Sequence, residues 1–465
     1  MSPITWTLSD SADACTSVYD RRRDLLPSAR IERALANTSS PYRWVILGIG
    51  ILAYGTSQFS RQNYAGVQKF IAEDLSLDRG ALGLMGSAFF YSYALFQMPG
   101  GVASDRFGSR WVIGLGILLT AVTMSAFATG ETTGSLVFWR IMSGVAAAAV
   151  YVPLTGGIAR WFSPSERGLS QGTAGGVGGA LGEGAAYALL PILSIYFASG
   201  WRQGMHMIAV AIALIGLLCL VLFRSAPPGE AATTRRPFEW RMLRDLQLWC
   251  YAFLWSGFVI GIRITQIWIA VYAADVYISG GRSLNEAVVA GGVLALVAYS
   301  LIGRAAGCPL AGRFSDLCVR WGVSRTAVLI GWLVLGMALL QILSMGVTAI
   351  WMLAIVAALL GTSVNLFSLV PAAISDTFGT QRTASFASFC NTMAQLSGAT
   401  ALAVSGYVGI SLNAQPGNAL TEYRGIWLSG VVGMAVMAML AIAAYTALRN
   451  GWVTRPAPAA ATSSV

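Results

Sequence analysis

The chain has 465 residues, of which 56% are apolar and only 11% are charged. An ordinary soluble domain carries about 25% charged residues, so no single soluble core could hide this much apolar surface. The formal net charge of +10 does not indicate a nucleic-acid-binding protein. Its arginines lie at the ends of apolar segments instead of clustering on one face, and Lys69 is the only lysine. The composition therefore predicts an all-α protein surrounded by membrane lipid.

Apolar segments of about 20 to 30 residues, the length of a helix that crosses a hydrocarbon layer, follow one another along the chain. They predict a polytopic protein with twelve transmembrane helices in two six-helix bundles. The first six helices are expected near residues 43–72, 80–104, 109–129, 134–161, 166–197 and 202–223. The second six are expected near residues 246–275, 285–313, 323–345, 348–374, 383–409 and 424–448.

Polar stretches divide the predicted helices into domains. Residues 225–244 are rich in proline, glycine and arginine, and they predict a linker between two halves of the protein. The N-terminal bundle is expected over residues 43–224 and the C-terminal bundle over residues 245–448. Residues 1–42 and 449–465 are expected to form polar tails.

The positive side chains predict the orientation in the membrane. With an even number of spans, both termini lie on one side. Of the 30 lysines and arginines, 21 fall on that side, 5 on the other and 4 within spans. We therefore expect a multi-pass protein of the cell inner (plasma) membrane, with both termini and the linker in the cytoplasm.

A polar motif occurs twice, after the second and after the eighth predicted helix. The first copy reads G-V-A-S-D-R-F-G-S-R over residues 101–110, and the second reads G-R-F-S-D over residues 312–316. The first copy resembles the signature loop of the major facilitator superfamily, G-x-x-x-D-R-x-G-x-R, at every fixed position. Residues 140–148 resemble the fourth-helix motif of that family. The resemblance covers essentially residues 43–448, and it implies two parallel repeats, alternating access and a solute site at their interface.

The same resemblance implies a gating role for the loop. Its charged residues are expected to form ion pairs and helix-end contacts that break as the two halves move, and its glycines permit a close turn. The predicted gating residues are Gly101, Asp105, Arg106, Gly108, Arg110 and, in the second copy, Asp316.

A narrower resemblance rests on three short segments. Residues 59–64 (FSRQNY), 87–91 (SAFFY) and 159–168 (ARWFSPSERG) are similar to sequences of the organophosphate/phosphate antiporters and the anion:cation symporters. Those branches carry organic phosphates, sugar acids, carboxylates and similar anions, which implies a small anionic solute here. The chain has its own insertion around residues 280–282, so the identity of the solute does not transfer.

Five ionisable side chains lie inside the predicted spans: Arg61, Arg140, Glu183, Arg263 and Arg304. Such a residue is costly in a membrane unless it is paired or hydrated, so each is a functional candidate. At a rise of 1.5 Å per residue, Arg61, Glu183 and Arg263 lie about 25 to 27 Å from the starts of their helices, just past the midplane. Arg304 is expected about 12 Å from the cytoplasmic end of the eighth helix. Neither Arg140 nor Arg304 receives a defined role.

Arg61 and Arg263 hold corresponding positions in the two halves and are expected to bind the solute from opposite walls of a cavity. The planar guanidinium group donates two parallel hydrogen bonds to a carboxylate, phosphate or sulfonate. Tyr54 and Gln58 share a helix face with Arg61, and Gln266 shares one with Arg263. In the organophosphate antiporters an arginine in each of helices 1 and 7 binds the anion, and both residues resemble that pattern. The alternative is that each arginine caps carbonyl groups or pairs with an acid.

Glu183 is the only acidic residue that the sequence places deep within a span. Carboxyl groups hold protons more tightly in surroundings of low dielectric constant, so Glu183 is a candidate for carrying a coupling proton. The alternative is a fixed salt bridge to one of the arginines, which also offsets the cost of burial.

These features predict a secondary active transporter that moves a small organic anion by alternating access. Proton symport is the first expectation and anion exchange the second, while a transporter-like sensor that binds ligand without flux is the rival class. An enzyme is not expected, because the glycine-rich residues 175–182 are not followed by the Gly-Lys-Ser/Thr of a phosphate-binding loop. We expect no cofactor, metal or nucleic acid, and a monomer.

Overall fold

The structure is a computed structural model that describes residues 40–162, 166–197, 200–227, 243–378, 380–411 and 419–449. Within these ranges the chain forms helices that group into twelve rods, and it forms no β-strand. The all-α prediction is confirmed. The predicted tails, apart from the few residues that begin or end a helix, and most of the predicted linker lie outside the described residues.

The first six rods follow the predicted spans closely. The single helices are α1 (Tyr42–Asp74), α2 (Arg79–Phe107), α3 (Ser109–Ala128), α4 (Thr133–Trp161) and α6 (Gly200–Leu222). Rod α5 consists of Arg167–Gly184, a π-helical turn at Ala185–Leu189, and Leu190–Tyr196.

The second six rods repeat this arrangement. The single helices are α7 (Leu246–Ser279), α9 (Arg325–Ser344), α11 (Thr380–Ser411) and α12 (Ala419–Arg449). Rod α8 consists of Leu284–Leu294, a π-helical stretch at Ala295–Gly307, and Cys308–Arg320. Rod α10 consists of Ile350–Asn365, a short 3₁₀ segment at Leu366–Leu369, and Val370–Phe378.

Side-chain caps fix the starts of several rods, because the first backbone N–H groups of a helix have no partner within it. The side chains of these residues accept a hydrogen bond from a backbone N–H two or three positions on: Asp78, Thr132, Asp245, Ser283 and Ser324.

Eight of the described rods are long and apolar enough to cross a membrane by length and composition alone. The other four are α1, α2, α10 and α11. In α10 the apolar helix Ile350–Asn365 is short, because the rod is interrupted. In α1, residues 56–63 read T-S-Q-F-S-R-Q-N, and all eight side chains are buried within the protein. The polar part of this rod faces protein and not lipid, so the rod can be less apolar than its neighbours.

The two groups of six rods pack in the same way. In the first group, α1 packs on α5, α2 on α4 and α3 on α6. In the second group the equivalent pairs are α7 on α11, α8 on α10 and α9 on α12. Between the groups, α2 packs against α11, α5 against α8 and α1 against α7. This reciprocal pattern is what two six-helix repeats produce, while the predicted linker boundary stays a prediction.

We call the end of the bundle that holds Tyr42 the terminal face, and the end that holds Asp74 and Ser279 the distal face. The π-helical parts of α5 and α8 contact each other where the two groups meet. Such turns are rare and are found frequently at functional sites. They flank the site described next.

Candidate functional site

Arg61 lies near the middle of α1 with only 8% of its surface exposed. Its Nη1 donates to the side-chain oxygen of Gln58 at 2.9 Å, and its Nη2 donates to the Ser57 hydroxyl at 3.4 Å and to the Tyr93 hydroxyl. Gln58 therefore contacts Arg61 as its helical spacing predicted. Tyr54, the other predicted neighbour, packs instead against Tyr151 of α4, with 5.6 Å between ring centres.

Arg263 occupies the equivalent place on α7 and is 4% exposed. Its Nη1 donates to the side-chain oxygen of Gln266 at 3.0 Å, as the spacing predicted. Its Nη2 donates to the side-chain oxygen of Gln395 on α11 at 2.6 Å, a partner that the sequence did not indicate. Each arginine is thus held by a glutamine three residues away on its own helix.

A single helix brings the two arginines together. The guanidinium carbon of Arg61 lies 4.5 Å from the ring centre of Tyr93, and that of Arg263 lies 4.0 Å from the ring centre of Phe90. Phe90 and Tyr93 are three residues apart on α2, so they share one face of that helix. The arginines are close enough for the charge of Arg61 to act on Arg263.

Neither arginine has an acidic partner among the residues that the structure describes, where no carboxylate lies within 4.0 Å of either guanidinium group. The Nε atoms of both are buried without a hydrogen-bond partner. Two buried positive charges with neutral neighbours are costly unless an anion joins them. The arrangement can therefore bind an anionic group between the two guanidinium groups.

Glu183 is 1% exposed and forms a salt bridge with Arg304 of α8. The two arginines considered above are not its partners. The expected distance of Arg304 from the end of its helix was wrong, because α8 continues helically to Arg320 and not only to residue 313. Sixteen residues now separate Arg304 from that end, about 24 Å at 1.5 Å per residue, so it lies near the middle of the rod.

Polar side chains continue from Arg263 towards the first group of rods. The side-chain nitrogen of Gln395 donates to the oxygen of Asn391 at 3.2 Å, and the nitrogen of Asn391 donates to the oxygen of Gln97 at 3.2 Å. Since Asn391 lies on α11 and Gln97 on α2, this chain of hydrogen bonds crosses between the groups. Spacing along one helix cannot reveal it.

Tyr187, in the π-helical turn of α5, makes a second polar link between the groups. Its hydroxyl donates to the main-chain carbonyl of Gln266 at 2.8 Å and lies 3.2 Å from the side-chain oxygen of Gln62. The site residue Gln266 is therefore tied to α5 through its main chain and to Arg263 through its side chain.

A cluster of charged residues at the distal face links the two groups of rods. Asp275 of α7 forms salt bridges with Lys69 of α1 and Arg79 of α2, and it accepts a hydrogen bond from the Tyr423 hydroxyl at 2.6 Å. Arg79 also pairs with Glu422 of α12. Asp275 is only 5% exposed. Asp275 is therefore a second buried acid within the described rods, beside Glu183. The span was predicted to end at Asp275, whereas α7 continues for four more residues, so Asp275 lies inside the rod.

The predicted gating residues lie at the terminal face. Gly108 joins α2 to α3 with a φ of 87°, a conformation that favours glycine. The backbone N–H of Arg110 donates to Ser225 at 3.0 Å. Asp316 accepts from Arg325 at 3.0 Å. Gly101 is buried in α2 and Arg106 is exposed, while the side chain of Asp105 lies outside what the structure describes.

Arg140 connects three helices. From α4 it donates to the main-chain oxygens of Met85 and Ser60 and to the side chain of Asn63, at 3.1 to 3.4 Å. Its guanidinium group also lies 4.6 Å from the ring centre of Phe89. It therefore ties α4 to α1 and α2.

Curated proteins resemble the chain over part of its length. It is 28% identical over 200 residues to the probable sulfoacetate transporter of Cupriavidus necator, covering 42% of this chain and 45% of that protein. It is 26% identical over 184 residues to the probable hexose phosphate transport protein of Chlamydia pneumoniae, covering 38% of each. The probable galactarate/D-glucarate transporter of Bacillus subtilis is 28% identical over 197 residues, 40% of this chain and 41% of that one. The matches span less than half the length of these relatives, which fall in the organophosphate and anion:cation branches predicted from the sequence.

Solved structures resemble the chain over nearly all of it. A bacterial homologue of the human lysosomal transporter Spinster, inward-facing and unoccupied, gives a TM-score of 0.70 at 18% identity, covering 90% of this chain and 100% of that one. The nucleoside transporter NupG gives 0.62 at 13% identity, covering 87% and 99%. At such identities the likeness shows the fold alone.

The family model described as the Major Facilitator Superfamily matches residues 50–306, more than half of the chain. This match covers most of the first group of rods and continues through α7 into α8. The relatives named above are transport proteins, so the expectation that the chain is not an enzyme is confirmed. The signature loop at residues 101–110 predicted the same family. The chain therefore belongs to the Major Facilitator Superfamily.

Proposed function

We propose that this protein is a secondary active transporter of a small organic anion, a carboxylate, phosphate or sulfonate, and that it works by alternating access. The observation that carries the proposal is the pair Arg61 and Arg263. One comes from each group of rods, both are buried, and neither has an acidic partner among the described residues. A planar guanidinium fork matches the two oxygens of such an anion.

The names of the relatives support this class of solute. Sulfoacetate, hexose phosphate and galactarate are all anions whose charge sits on oxygens that accept parallel hydrogen bonds. Gln58 and Gln266 hold the two forks in place, and Tyr54 lines the wall beside Gln58. The polar surroundings of the arginines would bind the neutral hydroxyl groups of a solute.

Protons drive the transport in this proposal, with Glu183 as the group that carries them. It is a buried carboxylate between the two groups of rods, where its protonation state affects contacts that must change during a cycle. Anion exchange, which needs no proton, is the second candidate. The protein acts as a monomer in the inner membrane, with its terminal face in the cytoplasm as the positive charges favour.

Gating in this proposal involves both faces. The loop with Gly101, Asp105, Arg106, Gly108 and Arg110, together with Asp316, controls the terminal face. The cluster around Asp275 closes the distal face, and its ion pairs would break when that face opens.

The test is uptake into proteoliposomes of labelled sulfoacetate, glucose 6-phosphate and galactarate, with and without an inward proton gradient. Arg61→Ala and Arg263→Ala should each abolish uptake, because a charged hydrogen-bond pair of about 3 kcal/mol is lost, which is about 100-fold in affinity. Lysine should restore little at either position, since it keeps the charge but not the fork. Arg202→Ala is the matched control, because Arg202 pairs with Asp74 at the distal face, away from the site.

The outcomes separate the candidate functions. Uptake that responds to the proton gradient supports symport, whereas uptake that needs a counter-anion and ignores the gradient supports exchange. Binding in detergent without any flux would identify a sensor. If either alanine variant transported at the wild-type rate with unchanged affinity, that arginine would not be a solute ligand.

A further inference from the structure

The salt bridge between Glu183 and Arg304 joins the two groups of rods close to the anion site. Glu183 belongs to α5 and Arg304 to α8, and each lies in or next to a π-helical segment. Nη1 of Arg304 donates to the carboxylate of Glu183. The side chain of Glu183 is 2% exposed and that of Arg304 is 24% exposed. The arginine can therefore be reached from outside the pair, whereas the carboxylate cannot.

The other amino group of Arg304 points to the surroundings of Arg61. A Cβ atom placed on Gly179 would lie 3.4 Å from Nη2 of Arg304, 3.6 Å from the Tyr54 ring and 3.8 Å from the side-chain nitrogen of Gln58. Gln58 is the residue that holds Arg61 through its oxygen. Because Gly179 has no side chain, Nη2 of Arg304 and the partners of Arg61 border the same small space.

The ionisable side chains around this space carry an excess of positive charge. Arg61, Arg263 and Arg304 contribute three positive charges and Glu183 one negative charge, so these four groups carry a net charge of +2. The charges of Arg61 and Arg304 both act on Arg263. An anion drawn to this centre therefore meets two unpaired arginines and a third whose charge is masked by Glu183.

We propose that Arg304 is a third anion ligand, and that the solute and the Glu183 carboxylate compete for it. The inference rests on the proposed function and names how the proton and the anion are coupled. In a conformation that admits water to the pair, hydronium transfers a proton to the Glu183 carboxylate. One O–H bond of hydronium breaks, an O–H bond forms on the carboxyl group, water is left, and the ion pair with Nη1 of Arg304 is lost. Arg304 then donates its hydrogen bonds to the anion. Glu183 supplies a single carboxyl group, so one proton accompanies each anion that binds.

Several groups surround Glu183. Arg304 and Tyr299 face it from α8, and Tyr187 faces it from the next turn of its own helix. Tyr54 from α1 and Tyr151 from α4 lie close to Arg304. Arginine is the only one of these partners that is permanently charged, so the ion pair dominates the electrostatics of the carboxylate.

If the salt bridge between Glu183 and Arg304 is fixed and purely structural, the opposite behaviour is expected. Such a pair would stay intact when an anion binds, and binding would take up no proton at this position. Anion affinity would then depend on Arg61 and Arg263 and not on Arg304. The two accounts differ in proton uptake on binding, which does not depend on a transport assay.

The experiment measures anion binding to the full-length protein in detergent by titration calorimetry, in two buffers with different ionisation enthalpies. The probes are sulfoacetate, glucose 6-phosphate and galactarate. The wild type is expected to take up about one proton per anion bound. Glu183→Gln should bind with no proton uptake and no dependence of affinity on pH. Arg202→Gln, which removes an arginine from a salt bridge at the distal face, serves as the control and should match the wild type.

The role of Arg304 is isolated by comparing two variants that both lack the carboxylate. Glu183→Gln leaves the arginine free, and Glu183→Gln/Arg304→Gln removes it while two neutral amides remain to hydrogen-bond each other. The double variant should bind the anion at least about tenfold more weakly than Glu183→Gln, the effect of one charge-assisted hydrogen bond. Melting temperatures of both variants are measured in the same detergent, so that binding is compared between folded proteins.

The outcomes distinguish the inference from the proposed function. If the wild type binds none of the three anions, the proposed function fails. If the wild type binds an anion without proton uptake, or if the double variant binds as tightly as Glu183→Gln, the inference is overturned and the proposed anion site stands. Proton uptake that persists in Glu183→Gln would likewise overturn it and assign the proton to another group.

Discussion

Replacing Gly292 by alanine should open the distal face of the protein. Gly292 lies on α8 against the π-helical turn of α5, and a Cβ atom there would stand 1.9 Å from the main-chain oxygen of Tyr187. Ordinary van der Waals contact begins near 3.4 Å, so the two rods must move apart by about 1.5 Å, the difference between those distances. Overpacking of this kind costs about 1–3 kcal/mol. Because α5 and α8 belong to different groups, opening the distal face relieves the clash.

The same energetic cost sets how far the equilibrium between the closed and the open distal face should shift. An energy of about 1–3 kcal/mol changes a two-state equilibrium by about 5- to 150-fold. The measurement is the distance between spin labels at Glu73→Cys and Arg282→Cys, two exposed positions at the distal face, in a background without the native cysteines. Gly292→Ala should populate a longer distance than the parent protein does.

Gly66→Ala is a matched control for this experiment. A Cβ atom on Gly66 of α1 would also stand 1.9 Å from a main-chain oxygen of the π-helical turn, that of Ala186. Here both rods belong to the first group, so opening the distal face does not separate them and does not relieve the clash. Gly66→Ala should lower the melting temperature and leave the label distance unchanged. If both variants lose thermal stability and neither changes the distance, the contact at Gly292 does not hold the distal face closed.

Three further predictions concern other contacts. Asp275→Asn leaves the half-buried Lys69 without its carboxylate and Arg79 with Glu422 alone. The cost lies below the roughly 3–5 kcal/mol of a fully buried pair, so the melting temperature in detergent should fall; an unchanged value would contradict a closing role. Tyr187→Phe removes a hydrogen bond of about 1 kcal/mol between the groups, and a modest lengthening of the same label distance is expected. Asp105→Asn should slow turnover with little change in solute affinity, whereas normal turnover with a large loss of affinity would argue against gating.

The fold could be predicted largely from the sequence, because every helix that crosses the hydrocarbon layer needs an apolar stretch of about 20 residues. The errors lie at helix ends. Rod α8 was predicted to end at residue 313, yet the polar residues after that point continue the helix to Arg320. An apolar-length criterion detects where a helix leaves the hydrocarbon layer and not where its hydrogen bonds stop. The expected distance of Arg304 from the end of its helix was wrong for this reason.

The site could be predicted only in part. Gln58 and Gln266 follow from helical spacing, since each lies three residues from the arginine it holds. Gln395 and Phe90 contact Arg263 from other helices, and nothing in the local periodicity says which helices will be neighbours. The π-helical segments could not be predicted either, since they depend on how α5 and α8 pack against one another.

The polar stretch of α1 also affects how the protein enters the membrane during synthesis. Residues 56–63 are covered by α2, α5 and neighbouring rods in the finished protein, but α1 leaves the ribosome before any of these exists. An arginine at the centre of an inserting helix costs about 2.5–3.5 kcal/mol, and the adjacent amides and hydroxyls add to it. The first helix is therefore a poor insertion signal by itself and needs the later helices to hold it in the bilayer. A nascent chain that ends before α5 should retain α1 at the translocon or at the membrane surface, so the residues proposed to bind the solute would also delay assembly.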